Sequence, residues 1–266
     1  MAGIYSMQRK VLYRIRRSFF SAVILIRDRQ HSMPEQTQQA TILSANDLTP
    51  HVRQLVLLPK EKPIAFQPGQ WVSLKLPIGA QPPLNRAYSM AAPATESGEL
   101  TLVLDHVADG LGTDYLYQRK PGEEVTLSGP YGKFTIPPTL DRELFFIARY
   151  TGLVPVRCML KRLYAQRQAG SILLIAVAPA EDELLFHQEF LSLAVTHPGF
   201  RYLPLVAAHG AQQGVDLTLS MLRPLIDHTP KVIPMLCGTK AFVQPLRAYF
   251  TEAGYDRKDV KIETYN

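Results

Sequence analysis

Phe66-Gln67-Pro68-Gly69-Gln70-Trp71, followed by Arg86-Ala87-Tyr88-Ser89, is the stretch on which the reading of this 266-residue chain turns. Pro68-Gly69 is a turn signal, and the segments after it, Trp71 to Leu76 and Ala87 to Ala92, are short and rich in strand-forming residues. Side chains two apart on a strand share a face. Arg86 and Tyr88 therefore present a cation and a flat aromatic side by side, and Ser89 follows at the strand edge. Such a string also arises by chance on an exposed strand, so its weight depends on what surrounds it.

Further strand candidates lie on both sides: Gln39 to Ser44, Val52 to Leu58, Leu100 to His106 and Glu124 to Ser128. Pro82-Pro83, Ser97-Gly98, Pro121-Gly122 and Gly129-Pro130 punctuate them. Six short strands with turns at this spacing predict a six-stranded antiparallel β-barrel over residues 37–138. After Pro138 strands and helices alternate. Strands are read at Leu144 to Ala148, Ser171 to Ala178, Phe200 to Val206, Lys231 to Cys237 and Val260 to Thr264. Helices are read at Val154 to Gln168, Glu183 to Ala194, Leu217 to Ile226 and Lys240 to Ala253. This grammar predicts a five-stranded parallel α/β domain over residues 139–266, whose ligands gather at the carboxyl ends of its strands. The chain thus divides into a basic N-terminal extension (1–36), a β domain and an α/β domain.

Charge and cysteine content exclude several function classes. The formal net charge is +6, and residues 1–33 account for all of it, through Arg and Lys side chains against the single acid Asp28. The remainder is neutral overall, so the high pI is no argument for nucleic-acid binding. Two cysteines, Cys158 and Cys237, cannot build a four-cysteine zinc site or an iron–sulfur cluster, and no metal site is expected. A cytoplasmic location is the default for such thiol usage. The apolar run of the leader, within Val11 to Ile26, falls short of the ~20 residues that span a bilayer. Residues 1–36 are read as a poorly ordered extension, with translation from a start upstream of Met33. An organelle transit peptide or a membrane-surface helix is the alternative, and membrane contact is expected through this segment only.

Two more clusters carry chemistry. Gly110-Leu111-Gly112-Thr113-Asp114-Tyr115-Leu116 has the glycines that let backbone N–H groups approach a phosphate, though a capped surface turn reads the same way. Gly129-Pro130-Tyr131-Gly132-Lys133-Phe134 is a turn leading out of the barrel. Taken in order, PGQW, RAYS, GLGTDYL, GPYGKF, TGLVP and LCG resemble the ferredoxin–NADP reductase superfamily, which includes oxygenase reductases and flavodoxin reductases. The resemblance covers about residues 39–266. It implies an FAD-dependent oxidoreductase passing electrons from NADPH or NADH to a one-electron carrier: a ferredoxin, a flavodoxin or an oxygenase component.

It also implies residue roles. Arg86 meets the FAD pyrophosphate, with Ala87 beside it; Tyr88 stacks on the flavin; Ser89 hydrogen-bonds near its N5. Val103, Leu104 and Asp105 line the flavin and its chain, and Leu111, Gly112 and Thr113 cradle the phosphates. Thr151 and Gly152 lie beside the flavin and the nicotinamide nucleotide. Ser89, Cys237 and Glu263 form the polar frame of the hydride path. Read without the resemblance, Cys237 is an inert buried cysteine. Tyr265 either covers the flavin or anchors the last strand.

The α/β half departs from the pattern in two places. Arg149-Tyr150 stands where relatives carry small residues before Thr151-Gly152, and a Tyr side chain there blocks the nucleotide or points away. Ala178-Pro179-Ala180 and Ala207-Ala208-His209 supply no Arg for a ribose phosphate, which puts NADPH preference in doubt. The alternative is therefore an FAD-binding protein with a degenerate nicotinamide site and a non-catalytic or regulatory role.

Overall fold

In the computed structural model, residues 37–79, 82–226 and 232–265 are described. The expectations placed on residues 1–36, on Lys231 and on Asn266 lie outside the described residues.

The alternation in the first half folds into β1 (Thr37–Thr49), β2 (Val52–Pro59), β3 (Trp71–Leu76), β4 (Leu84–Ser89), β5 (Leu100–Asp105) and β6 (Glu124–Tyr131). They hydrogen-bond in the order β4-β3-β6-β1-β2-β5, every pair antiparallel. Every second residue of β3 is buried, so Val72, Leu74 and Leu76 meet Leu55, Leu57 and Leu127 in one apolar cluster. Each such side chain contributes roughly 1.5–3 kcal/mol on burial. The sheet curls until its two edge strands approach, and the bridge between Met90 and Leu102 joins them. This is the expected six-stranded antiparallel barrel. The helix α1 (Leu111–Tyr117) spans the connection between β5 and β6.

The second half supplies β7 (Leu144–Arg149), α2 (Leu153–Ala165), β8 (Ile172–Ala178), α3 (His187–Thr196), β9 (Phe200–Val206), α4 (Gly210–Ile226), β10 (Ile233–Thr239), α5 (Lys240–Glu252) and β11 (Lys261–Tyr265). The sheet order is β11-β10-β7-β8-β9, all parallel. β8 is buried along its whole length, as a strand covered on both faces must be. The chain runs outward from β7 to β9 and then returns beside β7 as β10. The topological switch point is thus the crevice between β7 and β10, where open α/β sheets bind ligands.

Several boundaries moved for physical reasons. β1 starts two residues early because Gln38 is tied into the barrel: its buried amide donates to the Lys62 carbonyl and accepts from the Glu61 and Lys62 N–H groups. β4 runs Leu84–Ser89 rather than Ala87 to Ala92, because it pairs along the whole of β3, from Leu76 opposite Leu84 to Trp71 opposite Ser89. α4 starts seven residues before the expected Leu217, across glycines that argue against helix. Gly214 packs closely on the sheet below: a Cβ there would come 3.1 Å from Val177 Cγ1, which would have to give way. Phe186, at φ +57, separates α3 from Glu183, the expected start of this helix, which instead ends the short turn Glu181–Glu183.

The two halves share a core. Val52, Ala91, Val103 and Phe134 from the barrel side pack in one cluster with Leu153 and Met159 of α2. Gly69 shows how close the approach is: a Cβ would sit 1.9 Å from the Phe134 carbonyl oxygen and 2.3 Å from Met159 Cε.

Candidate active site

A cavity of about 560 Å³ opens where the barrel's two edge strands face the carboxyl end of the parallel sheet. β4 lends it Arg86, Ala87, Tyr88 and Ser89, and β5 lends Val103 and Asp105. The loop into α1 lends Val107 and Gly110, and the first turn of α1 lends Gly112 and Thr113; the α/β half lends Thr151, Val154, Glu263, Thr264 and Tyr265. The register of β3 with β4 pairs Trp71 with Ser89, so Trp71 joins the same wall.

One end of the cavity is built to take an anion. The Arg86 guanidinium makes a single hydrogen bond, Nη1 to the Asn85 carbonyl at 3.0 Å, and no ion pair among the described residues. Its stem lies over Gly112, where a Cβ would come 3.2 Å from Arg86 Cγ and 3.3 Å from Nε. Glycine there brings backbone and guanidinium together. Thr113 closes the turn by donating to the Gly110 carbonyl at 2.9 Å. The other end is aromatic and acidic. Burial raises the Tyr88 phenol, the negative charge of Asp105 raises it further, and it stays protonated. Burial raises the Asp105 carboxyl, against a hydrogen bond from Thr151 across the seam. Burial also raises the Glu263 carboxyl.

The parallel sheet supplies a second, adjoining feature. Gly152 lies directly on the end of β10: a Cβ would be 2.5 Å from the Cys237 carbonyl oxygen. Gly238, at φ +155, lies against Arg149 in the same crevice. Arg149 closes β7 and Thr239 closes β10, and their buried Nε and Oγ1 atoms find no partner within the described chain. Unsatisfied buried donors are costly and rare.

Eleven of the residues expected at the site therefore come together on one cavity: Arg86, Ala87, Tyr88, Ser89, Val103, Asp105, Gly112, Thr113, Thr151, Glu263 and Tyr265. Four do not line it. Leu104 points into the barrel core, at 1% exposure, because it alternates with Val103 and Asp105. Leu111 is 63% exposed. Gly152 is buried against β10. Cys237 is buried behind the wall; burial and then the adjacent Glu263 carboxylate hold its thiol well above its ordinary pKa. Cys237 pairs in register with Glu263, which does line the cavity. The Tyr265 hydroxyl donates to the Arg149 carbonyl at 2.9 Å. This ring both lines the cavity and ties the last strand to β7. Trp71, Val107, Gly110, Val154 and Thr264 were not among the expected site residues; of these, Trp71 stood in the quoted motif and Gly110 in the glycine loop.

The described residues hold no group of His, Cys, Asp and Glu that could bind a metal. No helix among them is long and apolar enough to cross a membrane. Cys158 and Cys237 are both free.

Comparison with known proteins supplies the context for this cavity. Residues 39–136 match the oxidoreductase FAD-binding domain family, and residues 146–247 match the oxidoreductase NAD-binding domain family. The chain is 29% identical over 241 residues to ferredoxin–NADP reductase B of Sorangium cellulosum, covering 86% of this chain and 97% of that protein. It is 31% identical over 174 residues to the phenol hydroxylase P5 protein of Acinetobacter pittii, covering 65% of this chain but only 48% of that protein. Among solved structures, the Amycolatopsis cytochrome P450 reductase GcoB superposes with a TM-score of 0.74 at 26% identity, over 87% of this chain and 70% of that one.

Proposed function

The chain belongs to the ferredoxin–NADP reductase superfamily of flavoprotein oxidoreductases, and from that premise we propose that it carries electrons from NADH or NADPH, through FAD, to a separate one-electron carrier protein. The observation that carries this reading is the single cavity that joins an unpaired arginine and a glycine turn at one end to an aromatic and acidic wall at the other. FAD, when bound, supplies acceptance of a hydride and its release as single electrons. The chain supplies binding, orientation and exclusion of water.

Each part has a role in this reading. Arg86 and the Gly110–Thr113 turn hold the pyrophosphate, the guanidinium fork being matched to phosphate oxygens. Tyr88 and Trp71 offer flat apolar surface to the ring system, and Ser89 a hydroxyl beside it. Val103 and Asp105 form the β5 side. Thr151, Val154 and Tyr265 close the cavity from the α/β half. Nicotinamide enters at the β7–β10 crevice over Thr151 and Gly152, where Ser89 and Glu263 frame the path. Cys237 acts from behind Glu263. Residues 37–138 form the FAD domain and residues 139–266 the nucleotide domain. The carrier is a ferredoxin, a flavodoxin or an oxygenase component, which accords with the ferredoxin–NADP reductase and phenol hydroxylase relatives. Two free buried thiols accord with a cytoplasmic setting. The degenerate-site alternative gains no support from Tyr150, whose hydroxyl is bonded to Glu183 in the turn after β8, on the side of β7 away from β10.

Anaerobic mixing of the FAD-loaded protein with NADH and with NADPH tests the reading. We expect bleaching of the flavin absorbance with both nucleotides. Neither ribose-phosphate position carries an arginine, so their rates should differ by no more than about tenfold, since a full Arg–phosphate contact is worth roughly 1.5–3 kcal/mol. A flavin that stays oxidised with both would overturn it.

A further inference from the structure

Glu183 is the one charged side chain among the described residues that is fully buried, at 4% exposure. It follows β8, in the turn Glu181–Glu183. Burial alone would raise its carboxyl, but three hydrogen bonds outweigh burial and leave it lowered, so it is charged. His51 Nδ1 lies 2.6 Å from Oε1; Thr49 Oγ1 donates to Oε2 at 2.5 Å, and the Tyr150 hydroxyl donates to Oε2 at 3.0 Å. Thr49 and His51 belong to the tip of the β1–β2 hairpin. One carboxylate thus gathers a barrel hairpin, the turn after β7 and the turn after β8.

Tyr150 is the informative partner. It is the first residue after β7 and has φ +54, a backbone conformation in which a bulky side chain is an outlier and glycine is at ease. From that position a ring has two ways to turn. β10 lies on one side of β7 and β8 on the other. The β10 side is the switch-point crevice, where Gly152 lies against Cys237 and Gly238 against Arg149. The β8 side holds Glu183. The phenol is on the β8 side, and the hydrogen bond to Oε2 fixes it there.

We propose that Glu183 is a positioning residue for the nucleotide reaction: by holding the Tyr150 hydroxyl on the β8 side, it keeps the aromatic ring out of the β7–β10 crevice and leaves that crevice open. The barrel bonds from Thr49 and His51 fix the carboxylate for this task. The idea rests on the reading above that the crevice receives the nicotinamide nucleotide.

The test compares variants that keep the ring and lose its tether with variants that lose the ring. All are purified with FAD bound. Calorimetry gives the dissociation constants for NAD⁺ and NADP⁺, and steady-state reduction gives KM and kcat. Tyr150→Phe keeps the ring without its anchor, and the nucleotide dissociation constant and KM should rise roughly tenfold, the size of one lost hydrogen bond to a charged group. kcat should stay within about threefold of wild type, because the effect lies in occupancy of the crevice. Tyr150→Gly removes the ring at a position suited to glycine, and its nucleotide affinity should match wild type. Glu183→Ala should behave like Tyr150→Phe, and the double variant Glu183→Ala with Tyr150→Gly should recover wild-type affinity. A purely structural role for Glu183 predicts no such recovery. Equal affinities in Tyr150→Phe and Tyr150→Gly would overturn the proposal, even where Glu183→Ala fails to fold. Unrecovered affinity in a folded double variant would overturn it as well. Wild type that neither binds nor is reduced by either nucleotide would instead overturn the functional reading, and this proposal with it.

Discussion

Replacing Arg86 with alanine should separate FAD binding from folding more cleanly than any other change at the cavity. The side chain is exposed on edge strand β4, and its guanidinium makes one local hydrogen bond, to the carbonyl of the preceding residue. No ion pair within the described chain is lost with it. The stability of the apo-protein should therefore shift by no more than about 0.5 kcal/mol, the range for a surface site without special contacts. The phosphate end of the cavity loses its cation, and a charge-assisted hydrogen bond contributes roughly 1.5–3 kcal/mol. The FAD dissociation constant should then rise about ten- to a hundred-and-fiftyfold. Lysine at the same position keeps the charge but not the fork, so Arg86→Lys should fall between the two. Titration of apo-protein with FAD, followed by flavin fluorescence, gives the constants; urea unfolding gives the stabilities. An Arg86→Ala protein that binds FAD within about threefold of wild type would refute the assignment. So would an apo-protein destabilised by several kcal/mol, since the arginine would then be a folding element.

Other consequences follow from the same geometry. Gly152→Ala places a Cβ 2.5 Å from the Cys237 carbonyl oxygen, where both sides are backbone. It should cost roughly 1–3 kcal/mol in urea unfolding, as overpacking does, and slow flavin reduction by moving the turn. Glu263→Ala should slow flavin reduction roughly ten- to a hundredfold through lost positioning while FAD affinity holds; Cys237→Ala, behind the wall, should slow it less, and stopped-flow reduction ranks the two. The hydrogen-bonded Glu183 carboxyl lies below its ordinary value of 4.5, so its stabilising contribution is complete above that value and is lost as pH falls through the folded-state pKa. The stability gap between wild type and Glu183→Gln should accordingly narrow below about pH 4.5, whereas a gap constant from pH 7 to pH 3.5 would remove the linkage.

Much of this site was legible because it is local. Strand period sets Arg86 and Tyr88 on one face, and the ordered motifs that resemble the ferredoxin–NADP reductase superfamily give them, Ser89 and the glycines of Gly110–Gly112 their expected roles. The sheets were legible through alternation in one half and strand–helix grammar in the other. What stayed hidden depends on pairing between distant segments. Trp71 stood in the opening motif, yet only the β3–β4 register sets it opposite Ser89. Leu104 sits in an expected run, and alternation turns it inward while Val103 and Asp105 face the cavity. The start of α4 was obscured by glycines whose use is tertiary, against Val177.

Tyr150 marks where one-dimensional reading ends. The sequence makes it conspicuous as a bulky residue before Thr151-Gly152 and leaves two outcomes, a blocked crevice or a ring turned aside. Nothing near it in the chain decides between them. The decision is made by a carboxylate 33 positions later, itself fixed by a hairpin tip in the barrel that lies 132 to 134 positions before that carboxylate. Glu183 offers no string to notice: it lies in an acidic turn beside Glu181 and Asp182, and such turns are usually solvated. Its burial and its three donors exist only once both halves have packed. A departure from a family pattern can therefore be read as decay when its compensation lies elsewhere in the chain. Here the compensating residue is present and hydrogen-bonded to the departing one. That pairing is the physical reason to favour a working nucleotide crevice over a degenerate one.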